Sequence, residues 1–158
     1  MGGHPAGKVE RPTFPFTDIY KTRVTLRYGA KSLSDGSVPW KAGVHAGLDL
    51  VCSDVPLIKA IRGGKVIRSR NYGAWGNYIV VEQEDGLYCI YAHLSTRYVE
   101  EGRTIEEGTV IGMMGASGYV TGRHLHIELQ SDYYNAYSHV DIARYLDIVN
   151  EAGNVRYL

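Results

Sequence analysis

Apolar and polar positions alternate along most of the chain in short runs, the period of a β-strand rather than of a helix. Residues 24–28, 57–61, 65–70, 77–83, 87–93, 110–113 and 124–129 read as strands on this basis. Gly63-Gly64, between the second and third of these runs, is a hairpin signal, and Glu84-Asp85-Gly86 is a stronger one between residues 77–83 and 87–93. Glu100-Glu101-Gly102 and Glu106-Glu107-Gly108 mark two further turns, and a polar loop spans residues 31–41. Only residues 140–149 carry a helical period, with Ile142, Tyr145, Leu146 and Val149 falling on one face. Strands closed by turns about every 8 to 12 residues predict a mainly β, antiparallel single-domain fold with a short C-terminal helix. Pro5, Pro12 and Pro15 make residues 1–22 an extended N-terminal arm, followed by a domain over residues 23–150 and a tail over residues 151–158.

Composition narrows the function classes. A length of 158 residues suits one domain with a substantial core, and 17 basic residues balance 17 acidic ones. That balance offers nothing for capture of nucleic acid or of an anionic membrane. No apolar run approaches the roughly 20 residues of a membrane span, and no secretory signal is visible at the amino terminus. Export by another route, release of a phage or prophage lysin, or a trimmed mature form are the expectations that follow. Nineteen glycines and thirteen tyrosines suit tight turns and aromatic strand faces. Cys52 and Cys89 are too few for a disulfide scaffold. Strand parity sets Cys89 with His93 and Cys52 opposite to Asp49, so the thiols are expected to point apart and to be free and buried.

Four of the six histidines stand in distinctive settings. His124 and His126 are two apart in a strand, so both rings reach one face while Leu125 and Ile127 enter the core. Such a pair can be a metal ligand plus an acid/base, two ligands, or simply exposed polar residues. His45 and Asp49 are four apart, about 13 Å in a straight strand. A turn or bulge, which Gly47 can accommodate through its backbone angles, brings them together. The alternative is a hydrogen-bonded His–Asp pair at a strand end. His93 closes an apolar run, the setting of a core histidine or a functional one. Taken together, His45, Asp49 and His126 make a three-ligand zinc site with one open position, leaving His93 and His124 for proton transfer.

These motifs resemble the lysostaphin-type (LytM-like) peptidases that cut peptide bonds in peptidoglycan. His45-x-x-x-Asp49 and His124-x-His126 match the family's ligand motifs, Trp75-Gly76-Asn77-Tyr78 its Gly-Asn strand entry, and Tyr91-Ala92-His93-Leu94 its Tyr-x-His-Leu motif. Residues 108–112 and 115–118 resemble its glycine turns, and the similarity runs from about residue 24 to about 146. The resemblance implies a LytM-like sheet or sandwich of the duplicated hybrid motif type. It also implies one zinc ion per chain on His45, Asp49 and His126, with His93 and His124 catalytic. A peptidoglycan peptide would be the substrate, cut at the bacterial wall in an extracellular or periplasmic setting by a monomer. Val120 and Ile142 depart from the family pattern without touching the chemistry. A non-catalytic wall-binding or activator module and a phosphotransferase-system sugar phosphocarrier domain are the rival readings. Zinc binding and wall lysis separate all three. Glu128 is expected to face solvent, though its parity with the histidines would suit a partner for a ligand. Tyr119 is read as a groove wall or an ordinary loop residue, and Tyr133, Tyr134 and Tyr137 as core cover in preference to stacking on sugars. His4 and His139 are read as surface residues. Which bond is cut, and which of His93 and His124 is the base, stay open.

Overall fold

The computed structural model describes residues 10–120 and 122–158. Among the described residues, eleven strands form one sheet, with one four-residue α-helix. In chain order they are β1 (Thr22–Leu26), β2 (Gly47–Cys52), β3 (Leu57–Lys59), β4 (Gly64–Asn71), β5 (Asn77–Gln83), β6 (Tyr88–Arg97), β7 (Thr104–Ile105), β8 (Val110–Met114), β9 (Leu125–Gln130), β10 (His139–Val140), α1 (Ile142–Tyr145) and β11 (Gly153–Asn154). The main path runs β11-β1-β2-β9-β6-β5-β4-β7, while β8 pairs with β3 and β6, and β10 with β9. All the pairings are antiparallel. The mainly β fold follows from the alternation, and β5 spans the residues the pattern predicts. No helix among the described residues is long and apolar enough to cross a membrane.

One face of the sheet carries the main core. Leu48 and Leu50 of β2, Ile79 and Val81 of β5, Tyr91 of β6, and Leu125, Ile127 and Leu129 of β9 are each fully buried in it. Removing one such leucine costs about 2–5 kcal/mol. Phe14 and Phe16, in the segment before β1, are buried in the same core. The opposite face carries a smaller cluster of Tyr78, Val80, Ile90 and Ala92, capped by Ile67, Trp75, Tyr88 and Tyr133. The functional groups stand on this second face.

The β5–β6 hairpin forms at Glu84-Asp85-Gly86. Leu87 N–H donates to Asp85 Oδ1 at 3.1 Å, and Gly86 takes φ 86°. The hairpin expected at Gly63-Gly64 does not form. β3 pairs instead with β8, and β4 with β5 and β7. Gly64 lies inside β4, where a Cβ would sit 2.1 Å from Glu82 O, so close strand approach rather than a turn requires glycine there.

The helix is also shorter than residues 140–149. Asp141 caps its start by accepting from Arg144 N–H. Asp147 ends it in the left-handed region at φ 63°, with Ile148 N–H bonded to Ala143 O and Asp147 N–H to Arg144 O. Arg11 holds the Asp147 carboxylate with two hydrogen bonds, so a distant contact overrides the local helical period.

Cys52 and Cys89 are free and buried, but not for the parity reason. Both belong to the main core. His93 has φ 65°, and Ala92 and His93 together oppose Tyr78 on β5, where the register slips between Asn77↔Leu94 and Ile79↔Tyr91. This bulge carries His93 to the second face while Cys89 and Tyr91 stay in the core. His4 lies outside the described residues. His139 is half-buried on β10, hydrogen-bonded through Nδ1 to the Tyr28 hydroxyl, and not the surface residue expected.

Candidate metal centre and cleft

β2 and β9 lie side by side, with Asp49 opposite His126 and Gly47 opposite Glu128. His45 comes just before β2, where its backbone N–H bonds Ala30 O and its carbonyl accepts from Gly29. Its Nδ1–H donates to Arg27 O at 2.9 Å, which turns Nε2 toward Asp49 Oδ1 at 3.3 Å. His126 Nδ1 lies 2.9 Å from the same Oδ1. One donor atom from each of His45, Asp49 and His126 therefore falls within a 4.8 Å cluster, and His45 and His126 are buried.

His45 precedes β2, and Gly47 begins the strand without a left-handed φ, so the backbone angle expected of Gly47 is not what unites His45 and Asp49. The missing side chain of Gly47 makes room, since a Cβ there would lie 2.5 Å from His126 Cε1 and 2.7 Å from Nε2. Glycine is required by the imidazole above it rather than by a backbone angle.

Glu128 is buried, against the expectation of a solvent-facing residue. β9 has neighbours on both edges and cover on both faces, so none of its side chains reaches water freely. Glu128 Oε1 meets His126 Nε2 at 2.8 Å, and Oε2 accepts from Gln130 Nε2 at 2.7 Å. A carboxylate on the far nitrogen orients a ligating histidine and raises its basicity. Burial works against ionisation of Asp49, but hydrogen bonds with His126 and His45 outweigh it and hold its pKa well below the usual carboxylate range. Glu128 is likewise raised by burial and lowered more strongly by His126. Burial alone would lower His126, yet the two carboxylates push it up to about 10. A half-buried carboxylate at Asp49 and a buried one at Glu128, both facing imidazoles, call for a positive counter-charge. Two imidazole nitrogens and one carboxylate oxygen are a good zinc donor set, so the residues fit that ion.

His93 and His124 stand beside this cluster with ring centroids 4.8 Å apart, and His93 lies 6.1 Å from His126. His93 Nδ1–H donates to Ser117 O at 2.9 Å, and His124 Nδ1–H to Gly122 O at 3.1 Å. Each ring therefore turns Nε2 inward, and His124 Nε2 lies 3.6 Å from Asp49 Oδ2. Burial, then the nearby His126, lowers His93 to about 4, so its ring is neutral at ordinary pH. All five residues singled out in the sequence thus converge.

Ser117 was not singled out as a functional residue. Its carbonyl holds His93, while its hydroxyl donates to Leu94 O at 2.6 Å and accepts from Asn77 N–H at 2.9 Å. Its position inside the glycine turn at residues 115–118 was the only signal. Gly76 and Gly118, both with positive φ, pack backbone to backbone beside it, and a Cβ on Gly76 would meet Gly118 N at 2.4 Å.

A cleft of about 620 Å³ opens beside His126 and Glu128, walled by Trp40, Trp75, Tyr72, Tyr133 and Tyr134. Trp40 packs on His45 with centroids 5.3 Å apart, and Tyr134 on Trp75 at 5.7 Å. Tyr133 caps the smaller cluster, whereas Tyr134 and Tyr137 are 75% and 65% exposed and do not cover the core as expected. Tyr119 is exposed and stands outside the cleft walls.

Residues 43–141 match the description Peptidase family M23. Peptidoglycan DD-endopeptidase ShyA of Vibrio cholerae is 31% identical over 109 residues, covering 69% of this chain and 25% of that protein. The catalytic domain of lysostaphin from Staphylococcus simulans superposes with a TM-score of 0.67 at 31% identity, over 80% of this chain and 92% of that domain. A zinc-containing peptidase from Vibrio cholerae gives 0.68 at 26%, over 87% and 40%. The chain spans between 18% and 28% of the length of the first curated relatives it matches. The histidines and aspartate gathered on one sheet face, in the order of the lysostaphin-type motifs and within the matched residues, make this chain a member of peptidase family M23.

Proposed function

We propose that the chain is a zinc endopeptidase that hydrolyses peptide bonds in the stem or cross-bridge of bacterial peptidoglycan. The observation that carries this is the convergence of three ligand atoms within 4.8 Å next to two further histidines whose outer nitrogens are fixed by backbone carbonyls. His45, Asp49 and His126 hold one ion per chain. Bound there, zinc supplies Lewis acidity that polarises a peptide carbonyl and lowers the pKa of a water.

The chain's own residues do the rest. With Nδ1–H committed to Ser117 O, neutral His93 offers Nε2 as a proton acceptor or as a hydrogen-bond partner for the reacting groups. His124, held by Gly122 O, offers Nε2 from the other side, and the pair share proton uptake from water and proton delivery to the leaving amine. Glu128 fixes the His126 ring, and the aromatic walls orient the peptide and exclude water. The substrate places the reaction at the wall, outside the cytoplasmic membrane, with the chain acting as a monomer. A non-catalytic module is disfavoured by the complete ligand set, and a phosphocarrier by the family match.

The test compares alanine variants for zinc content and for release of wall fragments. His93→Ala and His124→Ala should keep about one zinc per chain and lose turnover by 100-fold or more, within the usual general acid–base range of about 10²–10⁴. His45→Ala, Asp49→Ala and His126→Ala should lose the zinc itself. Full activity in His124→Ala, or full zinc in a ligand variant, removes that residue from its role. Fragment masses from walls with different cross-bridges identify the bond.

A further inference from the structure

Three cations line the cleft, and among the described residues only Arg70 of the three has a carboxylate within salt-bridge range. Lys41, Arg68 and Arg70 line it, against Glu128 as its acidic residue. Glu128 is committed to His126 and Gln130. Arg70 is neutralised by Glu101 through bonds of 2.8 and 3.1 Å. Arg68 has no carboxylate in salt-bridge range among the described residues. Its Nη1 donates only to its own neighbour's carbonyl, Ile67 O, at 2.7 Å, and its guanidinium stands 5.9 Å over the Tyr133 ring. A half-buried guanidinium with most of its five donors unused is poised for a carboxylate.

The sheet register places Arg68 relative to the chemistry. Arg68 pairs with Val80, Val80 with Ile90, and Ile90 with Glu128, so one row crosses the sheet from the metal side to β4. A register slip between Val66 and Arg68 sets Ile67 and Arg68 together opposite Val80. Ile67 packs on the cluster under the cleft, and the bulge keeps Arg68 on that same face. Three strand spacings separate β9 from β4, about 14 Å, and His126 lies two residues along β9 from Glu128, so an extended peptide covers the diagonal of about 16 Å in about five residues.

We propose that Arg68 is a specificity-determining residue that binds a free carboxylate of the substrate about five residue lengths from the scissile bond. The chain would then prefer acid-bearing stem peptides over uncharged ones such as glycine bridges or amidated stems. This rests on the peptidase reading above. Arg68 supplies a bidentate fork beside the Tyr133 ring, and Lys41, which also lines the cleft, adds positive potential.

The test uses two synthetic cross-linked stem-peptide dimers, identical except that carboxyl groups outside peptide bonds are free in one and amidated in the other. Both tryptophans of the chain, Trp40 and Trp75, line the cleft, so their fluorescence reports binding. Titrations use the zinc-loaded chain carrying His124→Ala, so that the peptide survives. The free-acid dimer should bind about 10- to 100-fold tighter than the amidated one, the range for hydrogen bonds to a charged group. Adding Arg68→Gln should collapse that ratio toward one, and Arg68→Lys should retain part of it. In the active chain, the preference should sit in KM rather than kcat.

Equal binding of the two dimers by the chain with Arg68 intact overturns the proposal, and so does an unchanged ratio in Arg68→Gln. If the glutamine variant does not fold, the intact chain and the lysine variant decide. Hydrolysis of both dimers at equal kcat/KM removes the carboxylate subsite and leaves the peptidase reading standing. A binding ratio that tracks Arg68 with no hydrolysis of either dimer does the reverse.

Discussion

Gly47→Ala adds a single methyl group in the wall of the metal centre, and the structure sets its consequence. The new Cβ falls 2.5 Å from His126 Cε1, 2.7 Å from Nε2 and 2.7 Å from Ile127 O. Carbon atoms in ordinary contact stand about 3.5–4.0 Å apart, so the ring must retreat by roughly 1 Å. It has little freedom to do so, because Nδ1 is held at Asp49 and Nε2 at Glu128. The third neighbour is backbone oxygen in the central strand, which yields even less.

Overpacking of this kind costs about 1–3 kcal/mol of stability. The effect on zinc should be sharper, since ligand distances tolerate only about 0.2 Å. A zinc affinity lowered by about 10- to 100-fold is expected, comparable to losing a residue that orients a ligand. Competition against a chromophoric chelator measures it, with thermal unfolding in excess chelator reporting the steric cost separately. Gly43→Ala is the control. Residue 43 has φ 81° and nothing within 4 Å of its added Cβ. That change carries a backbone penalty of about 1–2 kcal/mol and should leave zinc affinity alone. If Gly47→Ala binds zinc as the parent chain does, or if Gly43→Ala loses zinc equally, the steric account of Gly47 is wrong.

Glu128→Gln should weaken zinc binding by about 10-fold while the fold holds, because an amide still bonds the ring but no longer raises its basicity; an unchanged affinity would show the carboxylate to be a bystander. Ser117→Ala removes two hydrogen bonds that position the His93 acceptor loop, and should lower kcat by about 10-fold with zinc content unchanged, as fragment release and metal analysis together would reveal. In chelated protein, His126 is held protonated by Asp49 and Glu128. Its folded pKa is raised from 6.5 to about 10, so the stabilisation is complete below 6.5 and is lost as pH climbs through 10. The metal-free melting temperature should therefore fall across that window, and by more than that of the zinc-loaded protein, in which the ion takes the proton's place on the ring; parallel curves would contradict this.

Strand parity makes His124 and His126 legible, and motif spacing does the same for His45, Asp49 and His93 without tertiary knowledge. His124 and His126 needed only a straight strand, and β9 supplied one. Glu128 was misjudged because its burial depends on which strands flank β9, and antiparallel pairing of β9 with β2 and β6 is a long-range outcome. Ser117 escaped because it acts chiefly through its backbone carbonyl, which no side-chain pattern encodes. The helix over residues 140–149 was overextended for a similar reason: the hydrophobic period continues, but Asp147 adopts a left-handed turn tied to Arg11 from the far end of the chain.

The most informative failures were the two places where strand alternation itself breaks. Parity would have buried His93 beside Tyr91; the bulge opposite Tyr78 rotates it onto the metal face instead, against the preference of a non-glycine residue for negative φ. A second bulge, between Val66 and Arg68, brings Arg68 onto that same face three strands away. A perfectly regular sheet would present neither the neutral histidine near the metal nor the unpaired cation in the cleft. The interruptions in the strand pattern are thus where the sheet stops serving its core and begins to build the site, consistent with local rules yielding where chemistry requires it. Deleting one residue of either bulge to restore regular pairing should therefore leave a folded sheet. Loss at residues 92–93 should abolish turnover, and loss at 67–68 should erase the preference for acidic peptide.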